Sequence, residues 1–229
     1  ENQQDILRRV EELRPDLILF TGDLIDCHRV REAPGLTLMS GLRKIAPVYA
    51  VNGNHEVWSG RDGSLKRELS ALGVSVLANR RLILPFGRDR LLLHGIDDPR
   101  FKGKMSRHAR REKERKILAR ELQNSLGPEK GFRILLSHRP EGFEEYQRLG
   151  VDLVFAGHTH GGQVRLPFFG GLIAPNQGLF PKYLAGRYEK EGCTMIVNRG
   201  LGSSRFPLRL FNRPEIVVVR LISNSRPSN

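Results

Sequence analysis

Along this chain the apolar positions switch repeatedly between the 3.6-residue spacing of a helix and the unbroken run of a buried strand. Ile6, Leu7, Val10 and Leu13 fall on one helical face, and Pro15 ends that helix. Residues 16–20 then read as a strand, 36–44 as a helix, 48–51 as a strand and 64–72 as a helix. Short strands are predicted near 74–77, 82–84 and 90–94, followed by one long helix over 105–126 that Gly127-Pro128 stops. Residues 132–136 and 151–156 are two more buried strands, with a helix over 141–149 between them. After Gly162 the chain turns to loops rich in Gly, Pro and aromatics, through about Arg187, and 194–197 and 216–221 read as the last strands. The Ser/Asn/Pro-rich tail from Ser223 is expected to fray.

This alternation predicts α/β layering around a largely parallel central sheet. No internal repeat and no long linker divides the chain, so residues 1–222 are expected to form one domain. In such sheets ligands collect outside the carboxyl ends of the strands. Five residues of metal-binding type stand at four such ends: Asp23, Asn54, His138, His158 and His160. A His-x-His pair by itself is weak evidence, and the strength lies in the company it keeps on one rim. Carboxylate and amide oxygen with imidazole nitrogen suit a borderline divalent ion such as Mn, Fe(II), Zn or Ni, and the lack of a Cys ligand argues against a structural zinc site.

Composition changes the picture in three respects. No apolar run reaches 18 residues, and the polar opening Glu1-Asn2-Gln3-Gln4-Asp5 has no signal-peptide pattern, which points to a cytoplasmic location or one peripheral to the cytoplasmic membrane. The two cysteines, Cys27 and Cys193, read as thiols of a reducing compartment rather than a disulfide framework. Net charge is +13, and between Lys102 and Arg120 nine Lys/Arg stand against Glu112 and Glu114. That basic helix reads either as a solvated face or as a patch for an anion: a phosphorylated substrate, an acidic membrane surface or, behind these, nucleic acid.

The strings Gly22-Asp23, Gly53-Asn54-His55-Glu56, Ser137-His138 and Gly157-His158-Thr159-His160 resemble, in order and spacing, the later motifs of the calcineurin-like metallophosphoesterases. Gly161-Gly162-Gln163, Gly95-Ile96-Asp97-Asp98-Pro99 and Asn198-Arg199-Gly200-Leu201-Gly202 are similar to a bacterial subgroup of phosphodiesterases. Near that subgroup lie the UDP-2,3-diacylglucosamine pyrophosphatases of lipid A synthesis. The resemblance implies a four-layer α/β/β/α sandwich and a two-metal phosphoester hydrolase, with manganese ahead of iron, zinc or nickel. Asp23 would bridge the metals, with Asn54, His138 and His158 completing one and His160 binding the other. A bridging hydroxide would attack phosphorus in line, His55 would protonate the leaving oxygen, and Asp26 would orient His55.

The family's opening Asp-x-His, carried on a strand ahead of the first helix, reads as missing from the chain altogether. The opening strand is therefore expected to be missing, and the chain to hold at most one ion tightly, through Asp23, Asn54, His138 and His158. The apolar stretches Leu166-Pro167-Phe168-Phe169 and Gly178-Leu179-Phe180-Pro181 read as a packed loop or as a lid for an acyl chain. Arg139 and Arg209 are candidates for holding a distal phosphate. Together with the basic helix these features suit a phosphorylated lipid substrate. A soluble phosphodiester or nucleotide is the alternative, and a non-catalytic anion-binding module is the reading from a different class.

Overall fold

The computed structural model describes residues 3–87, 89–99, 106–162, 165–166, 170–171, 173–174, 178–179, 181–202 and 209–222. The first half of the chain forms α1 (Gln3–Leu13), β1 (Ile18–Phe20), α2 (Glu32–Ile45), β2 (Val48–Ala50), α3 (Asn54–Trp58), α4 (Asp62–Ala71) and β3 (Ser75–Val76). The strands pair in parallel in the order β1-β2-β3, with Ile18 against Val48 and Tyr49 against Ser75. Parallel neighbours need a crossover between them, and the helices supply it. The apolar stripes of α1 (Ile6, Val10) and α2 (Leu38, Met39, Leu42), with Leu69 of α4, pack on Val48, Ala50 and Val76. Pro34 sits in the first turn of α2, where a missing N–H is harmless, so the helix begins at Glu32 rather than at 36.

The second half builds a larger sheet from β4 (Arg80–Phe86), β5 (Asp89–Ile96), β6 (Phe132–Ser137), β7 (Leu153–Ala156), β12 (Gly186–Lys190) and β13 (Cys193–Val197), with α5 (Arg107–Ser125) and α6 (Phe143–Arg148) over it. Between β7 and β12, β8 (Arg165–Leu166) pairs with β9 (Gly170–Gly171), and β10 (Ile173–Ala174) with β11 (Gly178–Leu179). The spatial order of the large sheet is β12-β13-β7-β6-β5-β4, parallel in its four central strands and antiparallel at both edges.

Side-chain alternation decides what each face covers. Leu135, Val154, Met195 and Val197 face Leu118 and Leu122 of α5 and Phe143 and Tyr146 of α6. Their neighbours Ile134, Leu136, Leu153, Phe155 and Ile196 face the other way and meet Leu19, Tyr49, Val51 and Leu77 of the first half. Strands that are apolar on both faces thus require cover on both, and the molecule is layered helix, sheet, sheet, helix. The single central sheet expected from the alternation of elements is two sheets, each with one helical face and one facing the other sheet.

Other departures have local causes. The β-branched run 216–221 has no strand partner among the described residues: Ile216 packs beside α1 and Leu221 between the sheets, while Val218 and Ile222 are exposed. β12, between the segment read as loops and the strand expected over 194–197, escapes the apolar pattern because it is a polar edge strand whose Arg187, Glu189 and Lys190 carry no apolar period. The helix expected over 141–149 opens as a tight turn, Pro140–Gly142, before α6. α5 runs as expected and is capped by Ser106, whose hydroxyl accepts from the Ala109 N–H at 3.2 Å. Among the described residues no helix is long and apolar enough to cross a membrane. Among the described residues neither Cys27 nor Cys193 is in a disulfide.

Candidate metal centre

Four strands end at one rim, and the loops that leave them are held together backbone to backbone. Gly22 has φ +94°, and a Cβ there would lie 2.5 Å from the Gly53 nitrogen, so the loops after β1 and β2 close only with glycine at that point. Glu56 ties the same two loops: its buried carboxylate accepts from the N–H groups of Asp23 (2.9 Å), Ile25 (3.1 Å) and Gly53 (2.6 Å). The Gly53 contact is the reach-back half of a capping box at the start of α3. Asn52 extends the brace, donating to Asp62 at 2.7 Å and accepting from the Asp98 N–H at 2.7 Å. Asp23, His158 and His160 all adopt positive φ (57°, 69° and 49°), a left-handed backbone that non-glycine residues seldom hold and that recurs at functional sites.

Asp23, Asn54, His138 and His158 converge. From His138 Nε2, Asp23 Oδ2, Asn54 Oδ1 and His158 Nδ1 are each 3.1 Å away. His138 Nδ1 is 2.7 Å from the Thr21 carbonyl oxygen, which can only accept, so that nitrogen carries a proton. In the neutral ring Nε2 is then a lone pair facing the Asp23 and Asn54 oxygens. Asp23 Oδ2 is buried and makes no properly directed hydrogen bond despite the short approach. Burial would lift the Asp23 carboxyl, but the His138 and His55 rings and the His55 N–H hold it below the usual carboxylate range. Burial would lower His138, yet Asp23 overrides it and the ring is pushed up to about 9. Burial, with Arg139 and His138 beside it, keeps His158 well below its ordinary value. His160 is drawn down to about 4 by burial, against the pull of Asp23. It is near enough to feel that carboxylate but stands outside the tight group of Asp23, His138 and His158.

These residues fit a divalent cation on the chemistry of the donor set. A buried carboxylate oxygen with no directed partner, an amide oxygen and imidazole nitrogens face one another, and a cation among them would turn mutual repulsion into coordination.

His55 lies beside this group rather than in it. Its Nε2 is 4.0 Å from Asp23 Oδ2, and its own N–H donates to Asp23 Oδ1 at 3.0 Å. Asp26 Oδ1 is 3.4 Å from His55 Nδ1, and a closer partner escaped the sequence: the Cys27 backbone N–H donates to Nδ1 at 3.0 Å. The chain does contain an Asp-x-His, Asp26-Cys27-His28, but it follows Asp23 and sets Asp26 and Cys27 against His55 instead of opening the fold. Since the Cys27 amide engages the Nδ1 lone pair, Asp26, Cys27 and His55 are not a ready metal site. Trp58, half exposed, packs its ring 5.8 Å from that of His55 at the lip of the site.

Arg139 is not available to a phosphate. It is buried, with Nε 2.5 Å from Asp98 Oδ2, Nη2 3.0 Å from Asp98 Oδ1, and Glu114 3.7 Å away. Tyr146 holds the same turn, donating to the Arg139 carbonyl at 3.0 Å. Arg209 donates to the carbonyls of Arg199 and Gly202, and its charge reaches His160. The basic helix is partly neutralised: Arg115 pairs with Glu145 and Glu112, Lys116 with Glu112, while Arg110 and Arg111 are half-buried and act on Glu114. The apolar side chains of 166–173 and 178–180, Gln163 and residues 100–105 lie outside the described residues.

Residues 1–162 match the family described as calcineurin-like phosphoesterase. Over 235 residues the chain is 32% identical to the metallophosphoesterase YkuE of Bacillus subtilis, an alignment that covers 98% of this chain and 74% of that protein. It is 28% identical over 215 residues to phosphodiesterase YaeI of Escherichia coli (92% and 72% covered). A metallophosphoesterase of Aquifex aeolicus is 29% identical over 228 residues (96% and 78%).

Proposed function

Since this chain belongs to the calcineurin-like phosphoesterase family and is a hydrolase of phosphoric ester bonds, we propose that it is a phosphodiesterase whose divalent cation is held by Asp23, Asn54, His138 and His158. His160 would help to hold a second cation, more weakly bound than the first. The observation that supports this reading most is the convergence of Asp23 Oδ2, Asn54 Oδ1 and His158 Nδ1 on His138 Nε2. A bound cation supplies water acidification and neutralises charge on the phosphoryl oxygens. The chain's own part in the chemistry falls to His55, whose Nε2 faces the centre. In its acid form the imidazolium exchanges the Cys27 amide for Asp26 at Nδ1 and hands its Nε2 proton to the leaving oxygen.

Metal-stripped protein supplied with manganese is expected to hydrolyse bis(p-nitrophenyl) phosphate, and a chelator to abolish the reaction. Absence of hydrolysis by protein shown to contain metal would overturn the assignment and favour an anion-binding module.

For the substrate, we favour a phosphorylated lipid over a soluble diester or nucleotide. Support comes from the exposed Trp58 beside His55 and from Lys113, Lys116 and Arg120 on the exposed face of α5, where Lys116 also pairs with Glu112 and Arg120 with Glu121. Sedimentation with liposomes is expected to show binding that rises with anionic lipid and weakens with salt. Equal binding to neutral and anionic vesicles would rule the membrane reading out, and tight duplex DNA binding without lipid preference would replace it.

A further inference from the structure

Just beyond β6 the chain places two oppositely charged side chains against one imidazole nitrogen. His158 Nε2 is 3.2 Å from Arg139 Nη1 and 4.0 Å from Glu141 Oε1. Arg139 is otherwise committed to Asp98 through its two other nitrogens. Glu141 is different. Both its carboxylate oxygens are shut off from solvent and neither has a hydrogen-bond partner, while the 18% exposure of the side chain lies on its stem. A buried carboxylate that feels the Arg139 charge and its own backbone N–H but accepts no well-directed hydrogen bond is unfavourable unless some state of the molecule uses it.

A neutral imidazole carries one proton, and its placement decides what the other nitrogen can do. If Nε2 accepts from Arg139, the proton is on Nδ1, pointing at His138 Nε2 3.1 Å away, and Nδ1 cannot ligate a metal. If the proton is on Nε2, the acceptor within reach is Glu141 Oε1, and the Nδ1 lone pair is turned toward Asp23, Asn54 and His138.

We propose that Glu141 is the positioning carboxylate of the metal centre. It accepts the Nε2–H of His158 when a divalent cation takes Nδ1, and Arg139 keeps Asp98 but releases the imidazole. This rests on the reading that Asp23, Asn54, His138 and His158 hold a cation. The general chemistry is that of a carboxylate–histidine–metal relay, in which the carboxylate fixes the tautomer and strengthens the ligand.

The test combines a variant with a measurement on the unaltered chain. Glu141→Gln should weaken Mn2+ binding, followed by calorimetry, by about 10- to 100-fold. It should also leave the melting temperature of the metal-free protein unchanged or raised, because a buried carboxylate with no well-directed hydrogen bond gives way to a neutral amide of the same shape. A brace with no metal role would lower that melting temperature. In zinc-loaded, 15N-histidine-labelled wild-type protein, the His158 proton should reside on Nε2, read from its two-bond couplings. The inference falls if that proton is on Nδ1, if the metal-free variant melts lower, or if Glu141→Gln binds Mn2+ like wild type while Asp23→Asn does not. Undiminished Mn2+ binding by Asp23→Asn would overturn the cation reading itself, a distinguishable result.

Discussion

His55→Ala is expected to retain metal content while lowering turnover on diesters with poor leaving groups by about 10²- to 10⁴-fold. The retention follows from geometry. His55 touches the centre through its backbone N–H to Asp23 Oδ1, which alanine keeps, whereas its ring stays 4.0 Å from Asp23 Oδ2 and outside the tight group of Asp23, His138 and His158. What alanine removes is the proton on Nε2. The loss should therefore shrink for nitrophenolate leaving groups, which depart without protonation. Asp26→Asn should give a milder version of the pattern, because the Cys27 amide also aligns the imidazole. Steady-state kinetics across a leaving-group series, with metal content measured on each variant, decides the matter. Metal loss in His55→Ala, or an equal loss of rate for good and poor leaving groups, would sink the acid assignment.

The largest effect on stability is expected from Arg139→Met. Methionine is of similar bulk and leaves Asp98 buried, with two charge-assisted hydrogen bonds gone. Breaking a buried ion pair from one side costs about 3–5 kcal/mol, far more than the intact pair contributes, because the surviving charge is stranded. In a chain of this size that corresponds to a melting temperature roughly 6–20 °C lower. Asp98→Asn combined with Arg139→Met should recover part of the loss, since the stranded charge is then absent. Thermal melts of the two single variants and the double variant measure the coupling, and strictly additive losses would show that the pair is not a unit. An Arg139→Met variant as stable as wild type would mean that water reaches Asp98.

The strand-end strings carried much of this in the sequence. Gly22-Asp23, Gly53-Asn54, Ser137-His138 and Gly157-His158 each follow an apolar run long enough to be a strand, and the structure brings Asp23, Asn54, His138 and His158 to one point. Such positions are legible because period and punctuation are local properties: a run of β-branched residues followed by glycine marks a strand end whatever lies beside it. The same locality explains the misreadings. Residues 216–221 look like a strand, but pairing needs a neighbour, and local sequence does not supply one. β12 is polar because it is an edge, and the edge is defined by the sheet.

What only the tertiary structure decided is which polar groups meet. Asp98 and Arg139 lie 41 residues apart and join as a buried pair, which removed Arg139 from the candidates for holding phosphate. Glu56 reads as an ordinary helix acid until three backbone N–H groups from two loops are seen on its carboxylate. His158 and Glu141 acquire a relation only because β6 and β7 are adjacent and parallel, so that their ends share a rim. The apolar pattern alone located the strands buried in the sheet interiors, since burial acts on each residue type in the same way throughout the chain. Hydrogen bonds and ion pairs between distant residues act within a few ångströms and in fixed directions, so they exist only once the sheets have set that separation.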